Sequence, residues 1–94
     1  MEIKTNTYQL KDFNTGVPSQ MVSFYEMYQN GNVENGTTIE EMLRVSIARL
    51  TDLNRRFACR ENSIAITKMQ EALMWLNERT RDRKERGVEG KHIA

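Results

Sequence analysis

A helical pattern that runs unbroken from about residue 59 to residue 86 constrains this chain more than any other feature. Ala65, Met69, Ala72, Leu73 and Leu76 recur at helical spacing along one face, and Gly87 follows as a stop. A helix of that length spans roughly 40 Å. That is longer than a 94-residue globule needs, so the pattern predicts packing against neighbouring subunits as well as against its own partner helix. Polar clusters close both ends: Arg60-Glu61-Asn62 at the start, and Arg79-Thr80-Arg81-Asp82-Arg83-Lys84-Glu85-Arg86 at the finish.

The finishing cluster carries five cationic side chains in eight residues. Arginines at 79, 83 and 86 share one face a turn apart, which suits planar guanidinium forks to bidentate phosphate contacts. Charge is distributed to match. Residues 1–45 hold three basic residues against six acids, net −3, whereas residues 46–94 hold eleven against seven, net +4. Such a split suggests a local anion site rather than a surface that wraps a duplex. A plain solvated helix end, favouring cations near its C-terminus, is the competing reading at this point.

Upstream, Thr38-Ile39-Glu40-Glu41 fits a capping box, with Thr38 taking the Glu41 amide and Glu41 reaching back. Apolar residues at 39, 42, 43, 47, 50 and 53 then form a 3.6-period stripe, predicting a first helix that ends near Leu53. A short connection, Asn54-Arg55-Arg56-Phe57, returns the chain antiparallel into the long helix. The first thirty residues read as β. One strand falls on Ile3-Lys4-Thr5-Asn6-Thr7-Tyr8-Gln9-Leu10, an Asn14-Thr15-Gly16-Val17-Pro18 turn ends it, and a second strand falls on residues 21–28. Asn30-Gly31 and Asn35-Gly36 each suit a tight turn with positive φ.

These elements predict an α+β chain in one domain: a β-rich part (1–37), an antiparallel helical hairpin (38–86) and a tail (87–94). Ninety-four residues give a thin core, for which oligomerisation is a common supplement. No window reaches membrane-spanning length and no signal-peptide pattern opens the chain, so a soluble, unsecreted protein is expected. One cysteine, Cys59, rules out an internal disulfide and reads as a small buried apolar residue. With His92 as the single histidine, structural zinc is disfavoured. Glu61, Glu71 and Glu78 read as surface partners for Arg and Lys, and neither a Gly-rich phosphate loop nor a hydrolase motif is present. No catalytic residue and no cofactor is expected. Trp75 reads as core.

Seventeen residues, about 25 Å of helix, separate Asn62 from Arg79. One subunit therefore cannot close both ends around one small ligand. Two antiparallel copies can, so any site that uses both ends belongs at a dimer interface.

The stretch Phe57-Ala58-Cys59-Arg60-Glu61-Asn62, followed by Ala65-Ile66-Thr67-Lys68, Glu71-Ala72, Trp75-Leu76, Arg79-Thr80 and Arg86-Gly87-Val88-Glu89-Gly90, resembles a known helical hairpin. It is shared by the type 1 Thoeris anti-defence proteins and the anti-CBASS cyclic-nucleotide sponges of phages. The resemblance is closest from Phe57 to His92 and reaches back to the Asn30-Gly31 loop. It implies a dimer-based hexamer in the host bacterial cytoplasm that sequesters immune second messengers without cleaving them. The messengers implied are glyco-cyclic ADP-ribose isomers and cyclic di- or trinucleotides.

It also implies ligand contacts from an Asn at the position of Asn62 and from arginines at the positions of Arg79 and Arg83. Many relatives end the first helix in an aromatic that stacks on a base. Here that position falls on Leu53, which has no π-face, so Phe57, Tyr25, Tyr28 or Trp75 would have to supply the stacking. Arg86, on the arginine face, completes the candidate set. A nucleic-acid-binding module and a structural oligomerisation protein are the rival readings. The first is weakened by acids interleaved at 78, 82, 85 and 89.

Overall fold

The computed structural model describes residues 6–87. Ile3, Lys4 and Thr5 of the predicted first strand, and the predicted tail from Val88 onward with Lys91 and His92, lie outside the described residues. The chain forms two compact units that divide between Thr38 and Ile39.

The N-terminal unit contains two antiparallel hairpins. β1 (Thr7–Lys11) pairs with β2 (Pro18–Ser23), and β3 (Glu26–Met27) pairs with β4 (Val33–Glu34). The turn after β1 is closed by Asp12, whose Oδ1 accepts the Thr15 amide at 2.6 Å and the Thr15 hydroxyl at 2.8 Å. The predicted turn is thus real, but Pro18 belongs to β2 rather than to the turn. Proline is tolerated at the first position of a strand, where its missing N–H leaves no interior gap in the ladder. Leu10 pairs with Gln20 and Lys11 with Pro18, so Ser19 is the extra residue of a bulge.

The predicted second strand is broken in two. Asn6 donates from Nδ2 to the Phe24 carbonyl and accepts the Phe24 amide, while Thr37 bonds both Ser23 and Tyr25. The backbone at residues 23–25 is therefore held by non-ladder partners, and the pairing edge changes there. Asn6 is buried and keeps both its side-chain and backbone partners, as a buried polar residue requires. Tyr8 meets Phe24 edge to face at 5.8 Å.

The two Asn-Gly pairs serve different ends. Gly31 takes φ +90° in the β3–β4 turn, as predicted. Gly36 does not take positive φ; a Cβ there would stand 2.5–2.7 Å from the backbone of residues 23–25, so glycine is needed for close approach.

The second unit is the hairpin: α1 (Ile39–Arg56) and α2 (Arg60–Glu85). The first helix runs past Leu53 by nearly a turn, so Asn54, Arg55 and Arg56 are helical rather than connecting. Asp52 explains the extension, because it lies 3.9 Å from Arg49, 3.2 Å from Arg55 and 2.9 Å from Arg56 across the last turns. Asn54 then clasps the bend. Its Oδ1 accepts the Cys59 amide at 3.1 Å and its Nδ2 donates to Ser63 Oγ at 3.3 Å.

At the other end the helix closes as predicted, with the Arg86 amide on the Asp82 carbonyl and the Gly87 amide on the Lys84 carbonyl. Half-buried positions on α2 fall at Asn62, Ala65, Ile66, Met69, Leu73, Leu76, Thr80 and Arg83, and apart from Ala65 they alternate by four and three. Ala72 lies off this seam and is exposed, which corrects the predicted face. Neither helix contains a fully buried residue. Trp75 is 63% exposed and Cys59 is exposed at the N-cap of α2, so neither is the core residue expected of it.

Candidate anion-binding site

The cationic end of α2 is best understood by asking which guanidinium groups already have carboxylate partners. Arg81 has two: it donates to both oxygens of Glu78 and, at 2.6 Å, to Glu85. Hydrogen bonding from Arg81 holds the Glu78 carboxyl below its usual range, and Glu78 first, then Glu85, raises Arg81 in turn. Arg86 stands past the last helical residue with its Nε 3.0 Å from Asp82. Both arginines belong to i,i+3 or i,i+4 ladders on α2 itself.

Arg79 and Arg83 differ. Arg79 has one ion pair among the described residues, a loose one, with Nη2 3.9 Å from Glu40 Oε1 in the first turn of α1. That separation exceeds hydrogen-bond reach. Arg83 is half-buried, and its Nε is sealed from solvent with no hydrogen-bond partner among the described residues. A buried donor left unpaired costs about 1–3 kcal/mol, and in a native fold it calls for an explanation. One turn separates the two side chains, with Cβ atoms about 6 Å apart by helix geometry.

Of the predicted site residues, these two are therefore brought together with donors to spare. Arg86 is close in sequence but engaged by Asp82.

The remaining three lie at the opposite end of the hairpin. Leu53 is half-buried, and its carbonyl accepts the Phe57 amide at 2.8 Å. Asn62 is half-buried two residues inside α2. Phe57 is 72% exposed in the bend. The structure of one chain does not join this group to Arg79 and Arg83; the length of α2 keeps them apart. A concave strip lined by Gln70, Leu73, Met74, Asn77, Glu78 and Arg81 also runs along α2. Its cation is Arg81, already saturated by Glu78 and Glu85, so the strip is poorly suited to phosphate.

Two residues of the hairpin escaped sequence reasoning. Asn54 occupies the position after Ile47 and Leu50 in a three-four rhythm, and a polar side chain there signals a bend clasp. Glu40 sat within the capping sequence and carried no sign of its approach to Arg79, because that contact spans 39 residues.

A two-hairpin β unit followed by an antiparallel helical hairpin, with an open arginine pair at one end, defines an α+β hairpin-domain protein. The family model of the Acb2/Tad1 hairpin domain matches residues 22–81, and the chain belongs to that family. The matched span takes in Leu53, Phe57, Asn62 and Arg79, with Arg83 and Arg86 just beyond it. The chain is also similar to Thoeris anti-defense 1 of Bacillus phage SBSphiJ7, at 54% identity over 59 residues. Those residues make up 62% of this chain and 42% of that relative, so the match spans under half of the relative's length. Among the described residues no helix is long and apolar enough to cross a membrane.

Proposed function

We propose that this protein is a phage anti-defence sponge that binds nucleotide second messengers of bacterial immunity and withholds them uncleaved from their effector. The observation that carries the reading is Arg83: a half-buried guanidinium with an orphaned Nε, one turn from a loosely held Arg79. A ligand with two or more phosphates supplies the acceptors that this pair lacks. Family membership and the anti-defence name of the Bacillus phage relative support the same reading. The ligands are glyco-cyclic ADP-ribose isomers or cyclic di- and trinucleotides, and the place of action is the host cytoplasm.

Sequestration works by mass action, since an abundant tight binder lowers free messenger below the effector's threshold. The site is completed between subunits. Asn62, Leu53 and Phe57 of one copy lie beside Arg79 and Arg83 of an antiparallel second copy, and three such dimers make a hexamer. Exposed Trp75, Met74 and Ile64 on α2, and the lack of any fully buried helical residue, favour an assembled state.

The test is incubation of the pure protein with a panel of these messengers, followed by heat release and mass spectrometry. Recovery of intact ligand at stoichiometric yield is expected. Recovery of a cleaved product, or of nothing, would overturn sequestration. Light scattering that reported a monomer at micromolar concentration would remove the shared site.

A further inference from the structure

We propose that Glu40 is an internal competitor for Arg79 that sets the selectivity of the anion site. This inference rests on the sponge reading and concerns the same arginine pair. Glu40 stands in the first turn of α1, with its side chain 27% exposed, and faces Arg79 across the hairpin at 3.9 Å. Glu78 and Glu85 beside Arg81, and Asp82 beside Arg86, stand on α2 at i,i+3 or i,i+4, and these pairs form wherever the helix forms. The Glu40 contact instead joins two helices and stops short of hydrogen-bond distance. A carboxylate at that separation attracts the guanidinium and biases its direction while leaving its donors unsatisfied.

An incoming anion must therefore displace or share Glu40 before it reaches Arg79, and it meets the repulsion of that carboxylate as it does so. A ligand with a single phosphate can settle on Arg83, which has no carboxylate partner among the described residues, and so avoids this penalty. A pyrophosphate or a cyclic dinucleotide that spans Arg83 and Arg79 must meet it in full. Glu40 thus acts as a positioning and specificity residue. It narrows the advantage that ligands with two phosphates hold over ligands with one.

The experiment measures calorimetric affinity for a glyco-cyclic ADP-ribose isomer and for AMP in the full chain, with Glu40→Gln and Glu40→Asp made in the native and Arg79→Ala backgrounds. Glu40→Gln should tighten binding of the glyco-cyclic ADP-ribose isomer by about two- to fivefold, the range of an exposed ion pair, and tighten AMP less. Glu40→Asp, which keeps the charge at shorter reach, should fall between. In the Arg79→Ala background the Glu40 effect should vanish, an outcome that a merely structural role would not produce.

If Glu40→Gln leaves the ratio of the two affinities unchanged while Arg79→Ala weakens binding, the competitor idea fails and the site stands. If Glu40→Gln tightens binding equally without Arg79, the effect does not pass through that guanidinium and the idea fails. If Arg79→Ala leaves binding of the glyco-cyclic ADP-ribose isomer intact, or the native chain does not bind it, the anion site itself is wrong and the proposal falls with it.

Discussion

The two ends of the helical hairpin are built on opposite terms. At the bend, polar groups are matched locally: Asn54 answers Cys59 and Ser63, and Asp52 gathers three arginines from neighbouring turns. At the open end the matching is incomplete. Arg81 and Arg86 have carboxylates from their own helix, yet Arg79 has only a distant one and Arg83 has none among the described residues. The contrast teaches that counting cations does not locate an anion site. The cluster contains five, but intrahelical ladders engage two of them, Lys84 is an exposed lysine without the planar fork, and only a pair one turn apart is left available.

The largest effect that would break this contrast concerns that pair. Arg83→Ala and Arg79→Ala should each weaken messenger binding by about 1.5–3 kcal/mol, the range for hydrogen bonds to charged groups. Arg81→Ala should leave the affinity unchanged. Calorimetry giving equal losses at 79, 81 and 83 would mean that the whole end acts as a diffuse field. Arg83→Lys should restore only part of the affinity, because lysine has no fork.

Next in size is the bend. Asn54→Ala removes acceptors and donors from the Cys59 amide and the Ser63 hydroxyl, and should cost about 1–2 kcal/mol in denaturant unfolding. If the midpoint does not move, the bend is held by the helices alone and the clasp is incidental.

A third test asks whether Leu53 belongs to the bend's packing or to the ligand. Leu53→Phe should tighten binding of a glyco-cyclic ADP-ribose isomer by up to about 1–3 kcal/mol if the new ring stacks on the base. A lower melting temperature with unchanged affinity would assign Leu53 to interhelical packing, where a larger side chain overfills the space.

The smallest effect is electrostatic and distinguishes the ladder face from the open face. Arg81 holds the Glu78 carboxyl below its ordinary value of 4.5. A carboxyl depressed on folding adds stability above its unfolded value, and that contribution is lost as pH falls through the folded value. Circular dichroism should therefore show the end of α2 loosening slightly in acid, below about pH 4.5. Glu78→Gln should remove that transition. An identical acid profile in Glu78→Gln would mean that other carboxylates control it.

Much of this could be read from the chain. The stripe from Ile39 to Leu53 and the run past residue 59 carry helical periodicity within single segments, so two helices and their antiparallel return needed no distant information. The turn read at Asn14–Pro18, which the structure starts earlier at Asp12, and the Gly87 stop are likewise local, because turn and cap chemistry depends on neighbours a few residues apart. The position of the arginines on one face also followed from spacing alone.

Other features depended on contacts between segments far apart in sequence. The strand predicted over residues 21–28 broke because Asn6 and Thr37, distant in the chain, bind the backbone around Phe24. Gly36 turned out to be needed for close approach to that same backbone rather than for a turn. Trp75 and Cys59 were read as interior on residue type, but a two-helix unit has too little interior to cover them. Sequence determined how many arginines face one way. Only the tertiary structure decided which of them are free, because a salt bridge is a matter of distance, and the approach of Glu40 to Arg79 exists only once α1 folds back along α2.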